Sequence, residues 1–164
     1  LTNQESGEAF NAIAYFVADA YLGAPQTDWV RAYAAVRARG LVNVAAAELK
    51  STQAREASSK PSLPLAGYAG TYTDAWYGDI VIEESGGRLS MRFTKTPALV
   101  GVMEHWQHDT FIVRWTDREL RADAFVTFAL KPDGSIDQAK MAAVSPATDF
   151  SFDFQDLRLA PKAR

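Results

Sequence analysis

The spacing of the apolar residues changes partway along the chain, and this change constrains the fold more than any other feature. In the first third of the chain apolar residues recur at steps of three and four, and beyond residue 70 they alternate with polar ones. A period near 3.6 is typical of a helix with one buried face, and a period of two is typical of a half-buried strand. The sequence therefore predicts a helical part followed by a β part.

Two helices are predicted in the first part. The first spans residues 5–22 and ends at Gly23 and Pro25, which stop a helix. Its apolar face consists of Phe10, Ile13, Ala14, Val17 and Tyr21, widened by Phe16 and Ala20. The second starts at Thr27-Asp28, carries Trp29, Tyr33 and Val36 on one face, and continues to Ala57 as a mostly exposed helix of good helix formers. The short turn between them predicts an antiparallel hairpin.

A helix-breaking segment separates the two parts. Residues 58–64 read Ser-Ser-Lys-Pro-Ser-Leu-Pro, and each proline removes a backbone donor and restricts its predecessor. We therefore predict a helical hairpin and linker over residues 1–60 and a β domain over residues 61–164.

The β domain is predicted to be a closed eight-stranded antiparallel barrel. Alternating apolar residues mark its strands: Leu89, Met91 and Phe93; Phe111, Val113 and Trp115; Phe150, Phe152 and Phe154. Gly86-Gly87 and Pro132-Asp133-Gly134 have the composition of tight turns between antiparallel strands. About eight strands fit between Gly70 and Leu159, and closure of one sheet removes exposed edges. A change of apolar parity near Asp156 predicts a bulge in the last strand.

Composition disfavours several classes of function. The net charge is −3 with a sequence pI near 5.4, and the basic residues are scattered, which disfavours nucleic acid as a partner. No apolar run approaches the roughly 18 residues of a membrane span. The chain has no cysteine, which excludes disulfides, zinc–thiolate sites and cysteine nucleophiles. No cofactor is predicted.

Several short motifs in the β part resemble a known family. They are Leu65-Ala66-Gly67-Tyr68-Ala69-Gly70-Thr71-Tyr72, Tyr77-Gly78-Asp79-Ile80, His105-Trp106, Asp109-Thr110-Phe111 and Asp149-Phe150-Ser151-Phe152. In order and spacing this pattern resembles the C-terminal β-domain of unknown function attached to serine β-lactamase-related, penicillin-binding-protein-like hydrolases. The resemblance covers residues 65–159 and implies a lipocalin-like barrel.

The N-terminal part is similar to the end of such a hydrolase domain, with Leu1-Thr2-Asn3 as its closing strand and residues 10–21 within its terminal helix. No methionine precedes Leu1. We therefore expect that a hydrolase domain precedes this chain in a longer protein, and the resemblance implies a periplasmic or secreted location for that protein.

The catalytic motifs of these hydrolases are missing from the sequence. None of the six lysines has a serine three residues before it, which the Ser-x-x-Lys motif requires. Lys95-Thr96 is followed by Pro97, so no Lys-Thr-Gly motif occurs there. Ser145, Ser151, His105 and Asp109 could supply a Ser-His-Asp triad, but no Gly-x-Ser-x-Gly turn presents a nucleophile. The chain itself is therefore expected not to be an enzyme.

The densest group of metal-ligand residue types is Glu104, His105, His108 and Asp109. The two histidines are three residues apart, which places them on opposite faces of a regular strand. We therefore predict a hydrogen-bonded structural role for this cluster and no metal site.

Ligand-binding residues are predicted among the aromatic and cationic side chains of the barrel. They are Tyr72, Trp76, Tyr77, Arg92, His105, Trp106, Arg114 and Trp115. An eight-stranded barrel is just wide enough to be packed solid or to hold one small ligand, so core filling is the equal alternative for the aromatic residues. Arg92 and Arg114 would bind an anion only if the polar strand faces point inward.

The leading hypothesis is a non-catalytic accessory or binding domain of the serine hydrolase that precedes it. The alternative is a stand-alone lipocalin-like carrier of a small hydrophobic or amphipathic ligand, and a third is a solid barrel that serves as a protein-interaction surface. For the chain alone, the apolar faces of the hairpin predict a two-fold homodimer.

Overall fold

The structure, a computed structural model, describes residues 6–162. These residues form two helices followed by eight strands in one closed antiparallel barrel, so the predicted fold class is confirmed. The chain divides between Leu49 and Lys50 into two compact units. The predicted boundary at residue 60 stays a prediction.

The first unit is a pair of helices, α1 (Gly7–Leu22) and the larger part of α2 (Trp29–Gln53). Ser6 caps α1 by accepting a hydrogen bond from the backbone N–H of Ala9, and Gly23 ends it in the left-handed conformation. Helix α2 runs through Gly40 without a break but ends at Gln53, so the predicted extension to Ala57 is wrong.

The residues through which α1 contacts α2 are not those of the predicted apolar face of α1. Tyr15 stacks on Trp29 and Tyr33 with ring centroids 4.9 and 6.1 Å apart. The Trp29 indole N–H donates to Asp19, 2.6 Å away. The predicted stripe, including Phe10, is left exposed.

The second unit contains a barrel in which each strand pairs with its neighbours in the chain and the first pairs with the last. The strands are β1 (Gly70–Asp74), β2 (Gly78–Ser85), β3 (Arg88–Phe93), β4 (Val100–Gln107), β5 (Thr110–Trp115), β6 (Ala124–Leu130), β7 (Ile136–Ala143) and β8 (Arg158–Pro161). Gly86 and Gly87 form the predicted two-residue turn with φ of 59° and 76°, and Ser85 pairs with Arg88. A short pairing between β1 and β8, in which Thr73 pairs with Ala160, closes the barrel.

The barrel interior is filled by its own side chains. The apolar residues predicted to face inward on β3 and β5 are all buried, and they pack in one core with Tyr68, Tyr72, Phe128 and Phe154. Edge-to-face and tilted ring contacts, such as Phe93 with Trp115 at 5.9 Å, tie this core together.

The segment of Phe150, Phe152 and Phe154 is not the predicted strand. It forms two short 3₁₀ turns, Phe150–Phe152 and Phe154–Asp156. Asp149 accepts a hydrogen bond from the backbone N–H of Ser151, and Asp153 takes a left-handed conformation with φ of 46°. These local interactions replace strand pairing, which needs an extended backbone.

The predicted bulge in the last strand is also wrong. The register instead shifts between His105 and Gln107 in β4, and between Ala129 and Leu130 in β6. The parity change near Asp156 arises from the two 3₁₀ turns, after which only the four residues of β8 are extended.

Candidate functional site

The predicted ligand-binding residues do not form one site. Two of them are in the barrel core, four lie on β3, β4 and β5, where the His105 ring packs against the core residue Phe111, and two lie at one rim of the barrel. Their role in binding stays a prediction, and each group has a different environment.

Tyr72 and Trp115 fill the core. The Tyr72 hydroxyl donates to the carbonyl of Tyr68 at 2.8 Å, and the Trp115 indole donates to the carbonyl of Ala122 at 2.6 Å. Burial raises the pKa of Tyr72, and the nearby Tyr68 raises it further. Both polar atoms are thus satisfied within the protein.

Arg92 and Arg114 are exposed, so the polar strand faces point outward and no internal anion site forms around them. Arg92 pairs with Glu83 at 3.8 Å. Arg114 pairs with Glu104 at 3.0 Å and with Asp123 at 2.9 Å. Partial burial alone would raise the pKa of Asp123, but hydrogen bonds from Arg118 and Arg114 outweigh it and lower that pKa.

The residues of the candidate metal cluster make separate structural contacts. The His105 ring lies 2.9 Å from the carbonyl of His108, and the His108 ring lies 3.6 Å from Glu56. Glu104 is paired with Arg114, as above, and Asp109 faces Tyr68 and Ser62. Within residues 6–162, no group of three or more side chains is arranged to hold a metal ion.

Trp106 anchors the segment that follows α2. The Arg55 guanidinium lies over the Trp106 ring, 4.5 Å from its centroid. The same guanidinium donates to the carbonyls of Trp106 at 2.7 Å and His105 at 3.3 Å. Both carbonyls lie where the register of β4 shifts, which leaves them available to a side chain.

A second anchor lies at the start of β5. The Asp109 carboxylate accepts hydrogen bonds from the Tyr68 hydroxyl and from the backbone N–H and hydroxyl of Ser62, the latter two at 2.8 Å. Burial and the bond to Asp109 raise the pKa of Tyr68 to about 12. Together the two anchors fix residues 55–68 to the barrel.

Trp76 and Tyr77 form the third group, at the turn between β1 and β2. The Asp74 carboxylate accepts hydrogen bonds from the backbone N–H groups of Trp76, Tyr77 and Arg158 at 2.8 to 3.0 Å. Burial alone would raise the pKa of Asp74, but these three bonds lower it. The Tyr77 hydroxyl donates to the carbonyl of Phe152 at 3.0 Å. The turn is therefore held firmly against the 3₁₀ segment.

Two adjoining hollows surround this turn, and Trp76, Tyr77 and Asp153 line both of them. The larger has a volume of about 480 Å³ and the smaller about 280 Å³. The further lining residues are Asp74, Ala75, Asp156, Leu157 and Arg158 in the larger hollow, and Lys95 and Thr96 in the smaller. We refer to this region as the Trp76 rim.

Sequence reasoning missed Asp153, Asp156, Arg158 and Lys95 as members of this region. Because Phe150, Phe152 and Phe154 alternate with polar residues, the segment was predicted to be a strand. In a strand Asp153 would lie on the solvated face and not in a site. The signal that could have revealed the turns is the spacing of Asp149, Ser151 and Asp153, residue types that bond to their own local backbone.

None of the helices in the described part of the chain is long and apolar enough to cross a membrane.

Comparison with known proteins places the barrel in a family. The crystal structure of the C-terminal domain of penicillin binding protein Rv0907 is similar, with 21% sequence identity and a TM-score of 0.48, over 66% of this chain and 94% of that chain. No curated protein matches the chain. The profile of the family described as Domain of unknown function (DUF3471) matches residues 54–161. The chain therefore belongs to the DUF3471 family, and the resemblance drawn from its motifs is confirmed.

Proposed function

We propose that this chain is a non-catalytic accessory domain of a serine β-lactamase-related hydrolase that precedes it in a longer protein. The observation that carries the proposal is the family match over residues 54–161, which covers the barrel from β1 to β8. It agrees with the motif pattern of residues 65–159. Such a domain would act on substrate access or on assembly of the hydrolase.

The absence of catalysis by the chain itself is supported by how its candidate groups are engaged. The motif Ser-x-x-Lys does not occur in the sequence. Of the residues that could form a triad, Asp109 is held by Tyr68 and Ser62, and the His105 ring faces the carbonyl of His108. In a triad the Asp orients the His and a ring nitrogen of the His faces the Ser, and these contacts engage both groups with other partners.

The filled interior favours the accessory role over the carrier alternative. A lipocalin-like carrier needs an empty space inside the barrel, yet Tyr72, Phe111 and Trp115 meet there with other core residues. A small hydrophobic ligand would have to displace some of these rings, and removing a large core side chain costs about 3 to 5 kcal/mol. The outer surface and the rims are therefore the parts available for binding.

The hairpin would meet the hydrolase domain. Phe10, Phe16 and Val17 are exposed on α1, and a contiguous apolar face of this kind is usually covered in a soluble protein. In the longer protein the preceding domain would cover this apolar face. In the chain alone, a second copy of the chain would cover it.

The coding sequence upstream of the Leu1 codon tests the accessory role. We expect an open frame that continues upstream and encodes a domain with Ser-x-x-Lys and Lys-Thr-Gly motifs. A frame that starts at this point, or that encodes an unrelated domain, would overturn the proposal.

Turnover assays test the lack of catalysis. We expect no hydrolysis of nitrocefin or p-nitrophenyl esters by the purified chain. A rate that persists through purification and disappears on Ser151→Ala, His105→Ala or Asp109→Asn would show that the chain is an enzyme.

A further inference from the structure

The Trp76 rim presents a large aromatic ring to solvent on a fixed backbone. Trp76 is 80% exposed, whereas Trp115 is 1% exposed. Two hydrogen bonds to the Asp74 carboxylate hold the backbone of Trp76 and Tyr77 in place. A single exposed apolar side chain is ordinary, but this ring borders both hollows of the rim. Its face is therefore available to a ligand without rearrangement of the turn.

Asp153 lines the same two hollows. The Asp74 carboxylate accepts hydrogen bonds from three backbone N–H groups, whereas among residues 6–162 the Asp153 carboxylate accepts none. Asp153 is partly buried, and its left-handed backbone conformation sets the direction of its Cα–Cβ bond. An ionised carboxylate that is partly withdrawn from water gains from a cationic partner.

The charges of the larger hollow also favour a cation. Three acidic residues, Asp74, Asp153 and Asp156, and one basic residue, Arg158, line it. Lys95 borders only the smaller hollow, and its charge also acts on Asp79. The larger hollow therefore has an excess of negative charge beside an exposed indole face.

The size of the larger hollow fits one small organic group. A volume of about 480 Å³ lies within the range of about 300 to 1,000 Å³ of small-molecule sites. An indole face attracts ammonium and guanidinium ions through its quadrupole, and a neighbouring carboxylate adds a charge-assisted hydrogen bond.

We propose that the Trp76 rim binds an organic cation, an ammonium or guanidinium group, between the face of Trp76 and the carboxylate of Asp153. Tyr77 also lines the site, and the bond from its hydroxyl to the carbonyl of Phe152 holds it in place. This assignment is independent of the proposed accessory role, because it rests on the contacts and charges of the rim alone.

Titration followed by the indole N–H resonances tests the proposal. The chain has four tryptophans, and the resonance lost in Trp76→Phe identifies that of Trp76. The probes are Nα-acetyl-lysine-N-methylamide and the corresponding arginine derivative, and the neutral control is the norleucine derivative. We expect a saturable shift of the Trp76 resonance with both cations and none with norleucine. Equal binding of norleucine, or no shift with either cation up to tens of millimolar, would overturn the proposal.

A matched pair of variants separates the site from general surface charge. Asp153→Asn keeps the shape, and asparagine tolerates the left-handed backbone. We expect it to weaken binding by about twofold to fivefold, the range for a largely exposed charge pair. Asp137→Asn removes the same charge from an exposed position on β7 and should leave the affinity unchanged. Equal effects of the two variants, or none from Asp153→Asn, would contradict the site.

A further arm distinguishes the source of the cation. Choline represents a free small-molecule ammonium ion, and a tetralysine peptide presents the same charge on a polypeptide. The four side chains of the peptide alone should make it bind about four times more tightly than a single lysine derivative. If the peptide binds more tightly than that, the site is assigned to a polypeptide. Otherwise the site takes a free cation. If neither choline nor the peptide shifts the Trp76 resonance, the proposal fails.

Discussion

The barrel and the helical hairpin bury their apolar residues to very different extents. In the barrel, every strand contributes buried side chains to one core that includes Trp115, Phe111 and Ile80. In the hairpin, Ala12 is the one buried hydrophobic residue among those described in α1 and α2. Phe10, Phe16 and Val17 remain about half exposed.

The difference follows from topology. A closed sheet gives every strand two neighbours and gives all inward side chains a shared interior. Two helices share only one seam, and here Tyr15, Trp29 and Asp19 occupy it. The outer faces of both helices have no partner within the pair. Amphipathic helices therefore need a third element, whereas a barrel of eight strands is complete in itself.

The largest expected effect comes from the barrel core. Trp115→Ala removes a buried ring and the indole hydrogen bond to the carbonyl of Ala122, and we expect it to lower the free energy of unfolding by about 3 to 5 kcal/mol. Phe10→Ala in the hairpin should change that of a monomeric chain by less than about 0.5 kcal/mol, because the ring is 54% exposed in one chain. The comparison is therefore made at a protein concentration low enough to keep the chain monomeric. Urea unfolding followed by far-UV circular dichroism measures both. Similar losses from the two variants would contradict the contrast between the units.

Two glycines sharpen the same comparison. A Cβ at Gly101 in β4 would lie 2.2 Å from the carbonyl oxygen of Arg114, so Gly101→Ala must displace β5. We expect a loss of about 1 to 3 kcal/mol, or more if β5 cannot move. A Cβ at Gly40 in α2 meets no atom within 4 Å, and alanine there should stabilise the helix by about 0.5 to 1 kcal/mol. Thermal unfolding measures both effects. If both variants shift the unfolding temperature in the same direction, the space around these two residues does not decide their effect on stability.

The sequence predicted the barrel well because its strands obey a local rule. In β3, polar residues alternate with Leu89, Met91 and Phe93, which are buried as the alternation predicts. The Gly86-Gly87 turn fixes the register between β3 and β2. The helices were also predicted within a few residues of their ends, since Gly23 stops α1. Period and turn chemistry act over short distances, which a single sequence records directly.

The Trp76 rim could be predicted only in part. Trp76 and Tyr77 were predicted as ligand-binding aromatic residues of the barrel, but the segment that faces them was interpreted as a strand. Its conformation depends on the side chain of Asp149 bonding to the backbone of Ser151, which periodicity does not report. Likewise the anchoring position of Trp106 follows from the register shift in β4 and from the distant Arg55. Contacts between residues far apart in sequence left no local pattern.

The polar anchor at Asp109 should contribute a smaller amount to the barrel unit. Asp109→Asn keeps the size of the side chain but removes the charge that accepts bonds from Tyr68 and Ser62. Because the carboxylate is only partly buried, we expect a loss of about 1 kcal/mol. Asp137→Asn on the outer surface is the control and should change the free energy of unfolding by less than about 0.5 kcal/mol.

The same anchor gives a pH dependence with a definite sign. Partial burial alone would raise the pKa of Asp109, but the bonds from Tyr68 and Ser62 lower it below its ordinary value of 3.8. The unfolded chain therefore binds a proton there at higher pH than the folded one, and the stabilisation is present above 3.8 and lost as the pH falls through the folded value. Unfolding curves should show the difference between wild type and Asp109→Asn shrinking below that pH. A constant difference down to pH 2 would contradict this role of the carboxylate.

The smallest effect on the stability of a single chain, and a direct test of the exposed hairpin face, is expected from charge placed on α1. Phe10→Glu or Val17→Glu touches no buried contact, so the free energy of unfolding of one chain should hardly change. Association should change strongly, since covering such side chains is worth about 1.5 to 3 kcal/mol each and a two-fold dimer uses every contact twice. We expect light scattering at micromolar concentration to give a dimer mass for the wild type and a monomer mass for both variants. Asn43→Glu, which adds the same charge at an exposed polar position of α2, should remain dimeric. A monomer mass for the wild type, unchanged in Phe10→Glu and Val17→Glu, would show that the two helices satisfy each other within one chain, in spite of their exposed faces.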